Sequence, residues 1–266
     1  MSSTGVTAGA QAIAAAFAAE GRAALMPYMM GGFPDMETSR RVAEAYADGG
    51  ADLVELGFPF SDPLADGPVV HAAGTAALRA GATTHEVLAV GRALAERVPV
   101  VAMVYANLVM ARGLERFADD LATHAISGLI VPDLPLEEVA EALAACDGAG
   151  IALVALVAPT TPDERLAAIA GSARGFVYTV AVTGTTGERD ALAAGVPEML
   201  ARTKARFDVP VAVGFGIGAP AAASAAAEAG ADGVIVGSRL VRAAAESPEP
   251  AAAVGALVAE FAAALR

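Results

Sequence analysis

The 266 residues suffice for one large α/β barrel or for two small domains. No Pro/Ser-rich linker or shift in composition divides them, which favours one domain over 1–266. A net charge of −13 argues against nucleic acid and anionic membrane surfaces as partners, and the single cysteine excludes an internal disulfide.

The N-terminal stretch is Ala-rich but lacks a basic leader and is interrupted by Glu20 and Arg22. It reads as an outer helix segment over 1–24 rather than a signal peptide. No long apolar run without charge or glycine follows, so no membrane span is expected. Lone Cys146 in a predicted helix reads as buried packing and suits a reducing cytoplasm.

Leu25 to Met30 reads as a short buried strand ended by Gly31-Gly32, and a helix follows over about 36–48. The next stretch, 52–68, runs Asp-Leu-Val-Glu-Leu-Gly-Phe-Pro-Phe-Ser-Asp-Pro-Leu-Ala-Asp-Gly-Pro. Its alternating start is a strand that places Leu53 and Glu55 on one face and Val54 and Leu56 on the other. Gly57 and the prolines Pro59, Pro63 and Pro68 then impose a stiff irregular loop carrying Ser61, Asp62 and Asp66. Further strands are expected at 99–105, 127–131, 151–157, 175–180, 210–214 and 232–236. Helices are expected at 85–97, 113–124, 135–147, 162–170, 190–206 and 219–229, with one or two after 237.

The strand cores are apolar throughout, as parallel strands covered on both faces must be. Eight strands alternating with helices, in a chain near the typical length of about 250 residues, predict a (β/α)8 TIM barrel with an extra N-terminal helix. A doubly wound open sheet is the alternative, which the even spacing of the eight units disfavours.

A barrel carries its site on the loops that follow its strands. That rule selects Glu55 to Asp66, Tyr105-Ala106-Asn107, Pro132-Asp133, Pro159 to Thr161, Tyr178 with the Thr183–Gly187 loop, Gly214 to Gly218, and Gly237-Ser238-Arg239. Glycines after the seventh strand, with Gly237-Ser238 opening a helix after the eighth, suit a phosphate held by backbone N–H groups. Such glycines also serve plain tight turns. A buried strand-end carboxylate such as Glu55 suits acid–base work, or else is a solvated or paired acid.

What is missing sharpens this. The only lysine, Lys204, lies on a predicted outer helix, so no Schiff-base lysine is expected inside the barrel. His71, His85 and His124 are scattered and read as structural or surface residues, so no metal site is expected. Tyr28, Tyr105 and Tyr178 could line a pocket for an aromatic group or equally fill the core.

The run Glu55-Leu-Gly-Phe-Pro-Phe-Ser-Asp-Pro-Leu-Ala-Asp-Gly67 resembles the signature of the tryptophan synthase α subunits. Tyr105-Ala106-Asn107-Leu108, Asp133-Leu134-Pro135, Gly214-Phe215-Gly216-Ile217 and Gly237-Ser238 extend the likeness across nearly the whole chain. The resemblance implies a carbon–carbon lyase that cleaves indole-3-glycerol phosphate to indole and glyceraldehyde 3-phosphate. It implies Glu55 as the acid–base residue, Asp66 as acceptor of the indole N–H, and Tyr178 beside Glu55. Tyr28 and Tyr105 would pack around the indole. Gly187, Gly214, Phe215, Gly216, Gly237 and Ser238 would surround the phosphate, and Thr186 would meet Asp66 when the loop after the sixth strand closes.

The family pattern departs at Ala181, Val182 and Thr185, at His71 in place of a common glutamine, and at Gly31-Gly32 in place of Ala-Gly. The resemblance further implies no cofactor in this chain and a pyridoxal-phosphate-dependent β subunit as partner in an α2β2 assembly. Pro59, Phe60 and Asp62 would form part of that interface. From sequence, Phe60 could equally be an anchor folded back onto the barrel. A free-standing lyase and a non-catalytic, phosphate-ligand-binding activator remain the other readings.

Overall fold

The computed structural model describes residues 6–18, 21–180, 195–214 and 216–266. Its strands are β1 (Ala24–Met30), β2 (Val54–Gly57), β3 (Val100–Met103), β4 (Gly128–Ile130), β5 (Ala152–Leu153), β6 (Ala155–Val157), β7 (Val177–Val180), β8 (Val211–Gly214) and β9 (Gly233–Val236). All pairings are parallel, in the order β5-β4-β3-β2-β1-β9-β8-β7-β6. The two ends of that order are consecutive halves of the single run expected over 151–157. β5 pairs with β4 and β6 with β7, so the chain itself closes the ring through Val154. The outcome is the (β/α)8 barrel.

Side chains alternate across this wall as the strand period requires. Met26, Leu53, Val101, Ile130, Val154, Phe176 and Ile235 fill the interior. Leu25, Val54, Leu56, Ala102, Val213 and Val234 face outward beneath the helices. Glu55 shares the parity of Leu53 and so belongs to the inside face, where it is 1% exposed.

The helices are α1 (Ala8–Phe17), α2 (Met36–Asp48), α3 (Pro68–Arg79), α4 (Thr84–Ala95), α5 (Ala106–Arg112) and α6 (Leu114–Thr123). They continue as α7 (Val139–Ala149), α8 (Asp163–Ala170), α9 (Val196–Lys204), α10 (Pro220–Glu228), α11 (Ser238–Glu246) and α12 (Pro250–Ala264). α3 and α5 were not anticipated. Pro68 does not stiffen the loop but sits in the first turn of α3 behind Gly67, where its missing N–H costs nothing. α1 differs from an outer helix in its place: it lies across the N-terminal opening of the barrel. Ile13 is fully buried in the interior cluster, and Phe17 meets Phe176 with ring centroids 5.4 Å apart.

The same end is tied by Arg22, which donates to both Asp52 oxygens at 2.6 and 2.7 Å while Asp52 also accepts the Leu25 N–H at 2.8 Å. Asp52 is therefore a structural acid at the N-terminal rim, remote from the strand C-termini. No helix among the described residues is long and apolar enough to cross a membrane.

Candidate active site

Glu55 sits two residues before Gly57, the last residue of β2, level with Tyr28 of β1 in the sheet register. Its Oε1 is buried and has no hydrogen-bond partner among the described residues. Burial, and second the negative charge of Asp66, push its carboxyl from 4.5 up to about 8. At neutral pH Glu55 is thus an acid holding its proton, with one oxygen uncommitted.

Asp66 closes the loop after β2. Burial raises its carboxyl above the ordinary range, while a hydrogen bond from the Tyr105 hydroxyl and the nearby His71 act in the opposite sense. Tyr105 caps the N-terminus of α5, and its hydroxyl also accepts the Ala65 N–H at 3.0 Å. One phenol therefore holds both the backbone and the carboxylate of the loop. Asp133 fixes α5 in turn by accepting the Ala106 N–H at 2.8 Å. Phe60 lies on the Tyr105 ring, stacked at 5.3 Å between centroids and 25° between planes. Pro59 is buried, Phe60 half-buried, and Asp62 exposed, accepting a bond from Ser61 at 2.6 Å. Phe60 thus rests on the Tyr105 ring while part of its side chain stays exposed.

Two glycines at strand ends make room for phenols. A Cβ on Gly57 would collide with the Tyr28 hydroxyl, and one on Gly214 with the Tyr178 hydroxyl. Tyr28 and Tyr178 both lie inside the C-terminal mouth, 6% and 5% exposed. Burial chiefly, and then the surrounding carboxylates, keep both protonated: Asp66 and Glu55 act on Tyr28, and Glu55 on Tyr178.

Gly237 and Ser238 open α11, whose N-terminus has no side-chain cap, leaving its first N–H groups directed at the mouth. Gly216 takes a φ of +94°, which favours glycine. Thr186, Gly187 and Phe215, together with Ala181, Val182, Gly184 and Thr185, lie outside the described residues.

Beside Tyr178 a cleft of about 500 Å³ opens at the same face, lined by Leu64, Ala65, Met103, Ile130, Pro132, Leu156, Val157, Ala158, Thr161 and Val180. Sequence reasoning did not single out Met103, Ile130, Leu156 or Val180. Their signal was available, since Met103, Ile130 and Val180 end their strands and Leu156 stands one residue before the end of β6. Leu64, 84% exposed, stands at the rim of the same cleft.

Lys204 is on the outer helix α9 and donates to Asp232 at 2.7 Å. His124 bonds its own helix backbone at 2.7 Å, and His71 and His85 are exposed. Cys146 is buried, which pushes its thiol up to about 12. Among the described residues no group of three or more His, Cys, Asp or Glu side chains is arranged to hold a metal ion.

Fold and site together define a (β/α)8 barrel whose C-terminal mouth carries two carboxyl groups, Glu55 and Asp66, an apolar cleft and a helix N-terminus without a side-chain cap. The family model of the tryptophan synthase alpha chain matches residues 14–265. The alpha chain of Prochlorococcus marinus is 48% identical over 233 residues, covering 86% of this chain and 85% of that one. The alpha chain of Methanosarcina mazei is 47% identical over 219 residues, covering 82% and 80%. Among solved structures, a Mycobacterium tuberculosis tryptophan synthase chain superposes with a TM-score of 0.88 at 39% identity, covering 97% of this chain and 96% of that one. A chain of the Pyrococcus furiosus tryptophan synthase α2β2 complex gives 0.85 at 34%, covering 90% and 98%. The chain belongs to the tryptophan synthase alpha chain family.

Proposed function

We propose that this chain cleaves indole-3-glycerol phosphate to indole and glyceraldehyde 3-phosphate, with Glu55 carrying the proton both ways. The neutral carboxyl of Glu55 gives its proton to indole C3, making the ring an indoleninium. The hydroxyl on the adjacent side-chain carbon then returns its proton to the Glu55 carboxylate. The electrons of the C–C bond flow into the ring as the aldehyde forms. Atoms and charge balance, and Glu55 ends protonated as it began.

Asp66, held in place by Tyr105, accepts the indole N–H and stabilises the positive charge that develops there. Tyr178 flanks Glu55, and the apolar cleft takes the ring. The phosphate goes to the N-terminus of α11 at Gly237 and Ser238, with Gly216 beside it, where N–H groups and the helix dipole favour a dianion. Gly187 and Phe215 complete the cradle in this reading, Thr186 meets Asp66, and Gly214 makes room for Tyr178.

The observation that carries the proposal is the buried Glu55 oxygen with no partner among the described residues: such a group is costly unless it has a task. This chain acts in the cytoplasm without a cofactor of its own, and hands indole to a pyridoxal-phosphate-dependent β subunit in an α2β2 assembly. That partner would be met in part by Pro59, Phe60 and Asp62. The solved α2β2 complex of a relative supports this assembly.

The test is indole release by the purified protein, with and without a β subunit. Release accelerated by the β subunit and abolished in Glu55→Gln is expected. Full turnover of the isolated chain would mark a free-standing lyase. Partner activation without any cleavage would mark a ligand-binding activator.

A further inference from the structure

The Tyr28 phenol has no assigned partner in this chemistry beyond ring packing, yet its position is specific. Strands β2, β1 and β9 are neighbours in that order, so Tyr28 stands between Glu55 and Gly237. Its base lies against the phosphate side: a Cβ on Gly237 would meet the Tyr28 Cβ at 3.7 Å. Its tip lies over Gly57, on the same face of β2 as Glu55 and about 6–7 Å further toward the mouth at the usual rise per residue. The hydroxyl has no hydrogen-bond partner among the described residues, although the side chain is 6% exposed. Tyr46 anchors this stretch of β1 from outside by donating to the Tyr28 carbonyl at 3.0 Å. The phenol is therefore a fixed, uncommitted donor on the path between the acid and the phosphate cradle.

Under the proposed reaction a three-carbon chain must follow that path. Its first carbon, bonded to the ring, bears the hydroxyl that yields its proton to Glu55. Its last bears the phosphate. We infer that the Tyr28 hydroxyl hydrogen-bonds the hydroxyl of the middle carbon, and so selects a hydroxylated chain in one orientation over a plain alkyl phosphate. This rests on the proposed lyase reading. Tyr28 then reads the linker, and the ring is left to the apolar cleft beside Tyr178. Its raised affinity for its own proton suits a donor and excludes a base.

The experiment compares the wild type with Tyr28→Phe on two substrates, indole-3-glycerol phosphate and its analogue lacking only the middle hydroxyl. It also measures binding of 3-(indol-3-yl)propyl phosphate, which has no chain hydroxyls. One neutral hydrogen bond corresponds to roughly a three- to tenfold effect. Tyr28→Phe should lower kcat/KM by that factor on the full substrate and leave the dissociation constant of the propyl phosphate within twofold. On the middle-deoxy substrate the two proteins should be equal.

A wild type that turns over the deoxy and full substrates equally well overturns the inference without recourse to the variant. So does a variant that loses as much affinity for the propyl phosphate. A wild type that cleaves neither substrate overturns the lyase reading and this inference with it. A wild type that cleaves both, with Tyr28→Phe unchanged, overturns this inference alone.

Discussion

The Asp66 charge bears on Glu55 across the barrel mouth, adding to the burial that lifts the Glu55 carboxyl up to about 8. Between its ordinary 4.5 and that value the folded chain holds a proton that the unfolded chain releases. Stability should therefore fall as pH rises through this window and level off above it, with a slope of up to about 1.4 kcal/mol per pH unit from this group. Urea melts from pH 4.5 to 9 check this. In Glu55→Gln the same series should lose that component of the slope.

Removing the neighbouring charge should act on the same titration. Asp66→Asn takes away the repulsion but leaves the burial, so the Glu55 transition should move to lower pH while staying above 4.5. Carbon NMR of the labelled glutamate carboxyl would read it directly. An unmoved transition would mean that burial alone sets the value.

For activity, Glu55→Gln and Asp66→Asn should each cut indole release by a factor of about 100 or more, the range for a positioned acid–base or electrostatic group. Thermal melts at pH 7 should show both variants folded. Glu55→Gln should be no less stable than the wild type, since it replaces a carboxyl whose buried oxygen lacks a partner among the described residues.

How far this site could be read in advance depended on how local its parts are. Glu55, Gly57 and the proline-rich loop are contiguous, so alternation and turn residues exposed them directly. The bond from Tyr105 to Asp66 joins two loops far apart in the chain, and nothing in either segment announces it. α3 is hard to read because Pro68 looks like loop punctuation and Val69-Val70 weaken the helical signal. Yet its buried positions Val70, Ala73, Gly74 and Ala77 keep the helical spacing that would have revealed it. α5 has only 7 residues, too few to show a period. Strand 151–157 was expected whole, and its division at Val154 arises where the barrel passes from one neighbouring strand to the other.

Tyr105→Phe tests the loop clasp. It removes the donor to Asp66 and the acceptor of the Ala65 N–H together, at a cost of about 1–3 kcal/mol if that N–H stays buried. With the hydrogen bond gone, the Asp66 carboxyl should rise further above its ordinary range. The loss in kcat/KM should exceed what the stability change explains and should grow toward acid pH, where Asp66 protonates first. Parallel pH–rate profiles for the variant and the wild type would count against the clasp.

At the opposite end of the barrel, Arg22→Ala should separate stability from activity. It strips both guanidinium bonds from Asp52, which is only 14% exposed and keeps just the Leu25 N–H. A loss of about 1–3 kcal/mol is expected, below that of a fully buried pair. Turnover at a temperature where the variant is folded should match the wild type, because Asp52 lies at the N-terminal rim.

Gly214→Ala tests whether Tyr178 needs the space that the bare Cα provides. The added methyl would collide with the hydroxyl and ring edge of Tyr178. Overpacking of this kind costs about 1–3 kcal/mol, and the phenol must leave its place beside Glu55. Indole release should fall at least as far as in Tyr178→Phe, because both the hydroxyl and the ring are displaced. In a Tyr178→Ala background the clash has no counterpart, so Gly214→Ala should then cost less than about 0.5 kcal/mol. Equal costs in the two backgrounds, measured by denaturant melts, would show that Gly214 serves something other than the tyrosine.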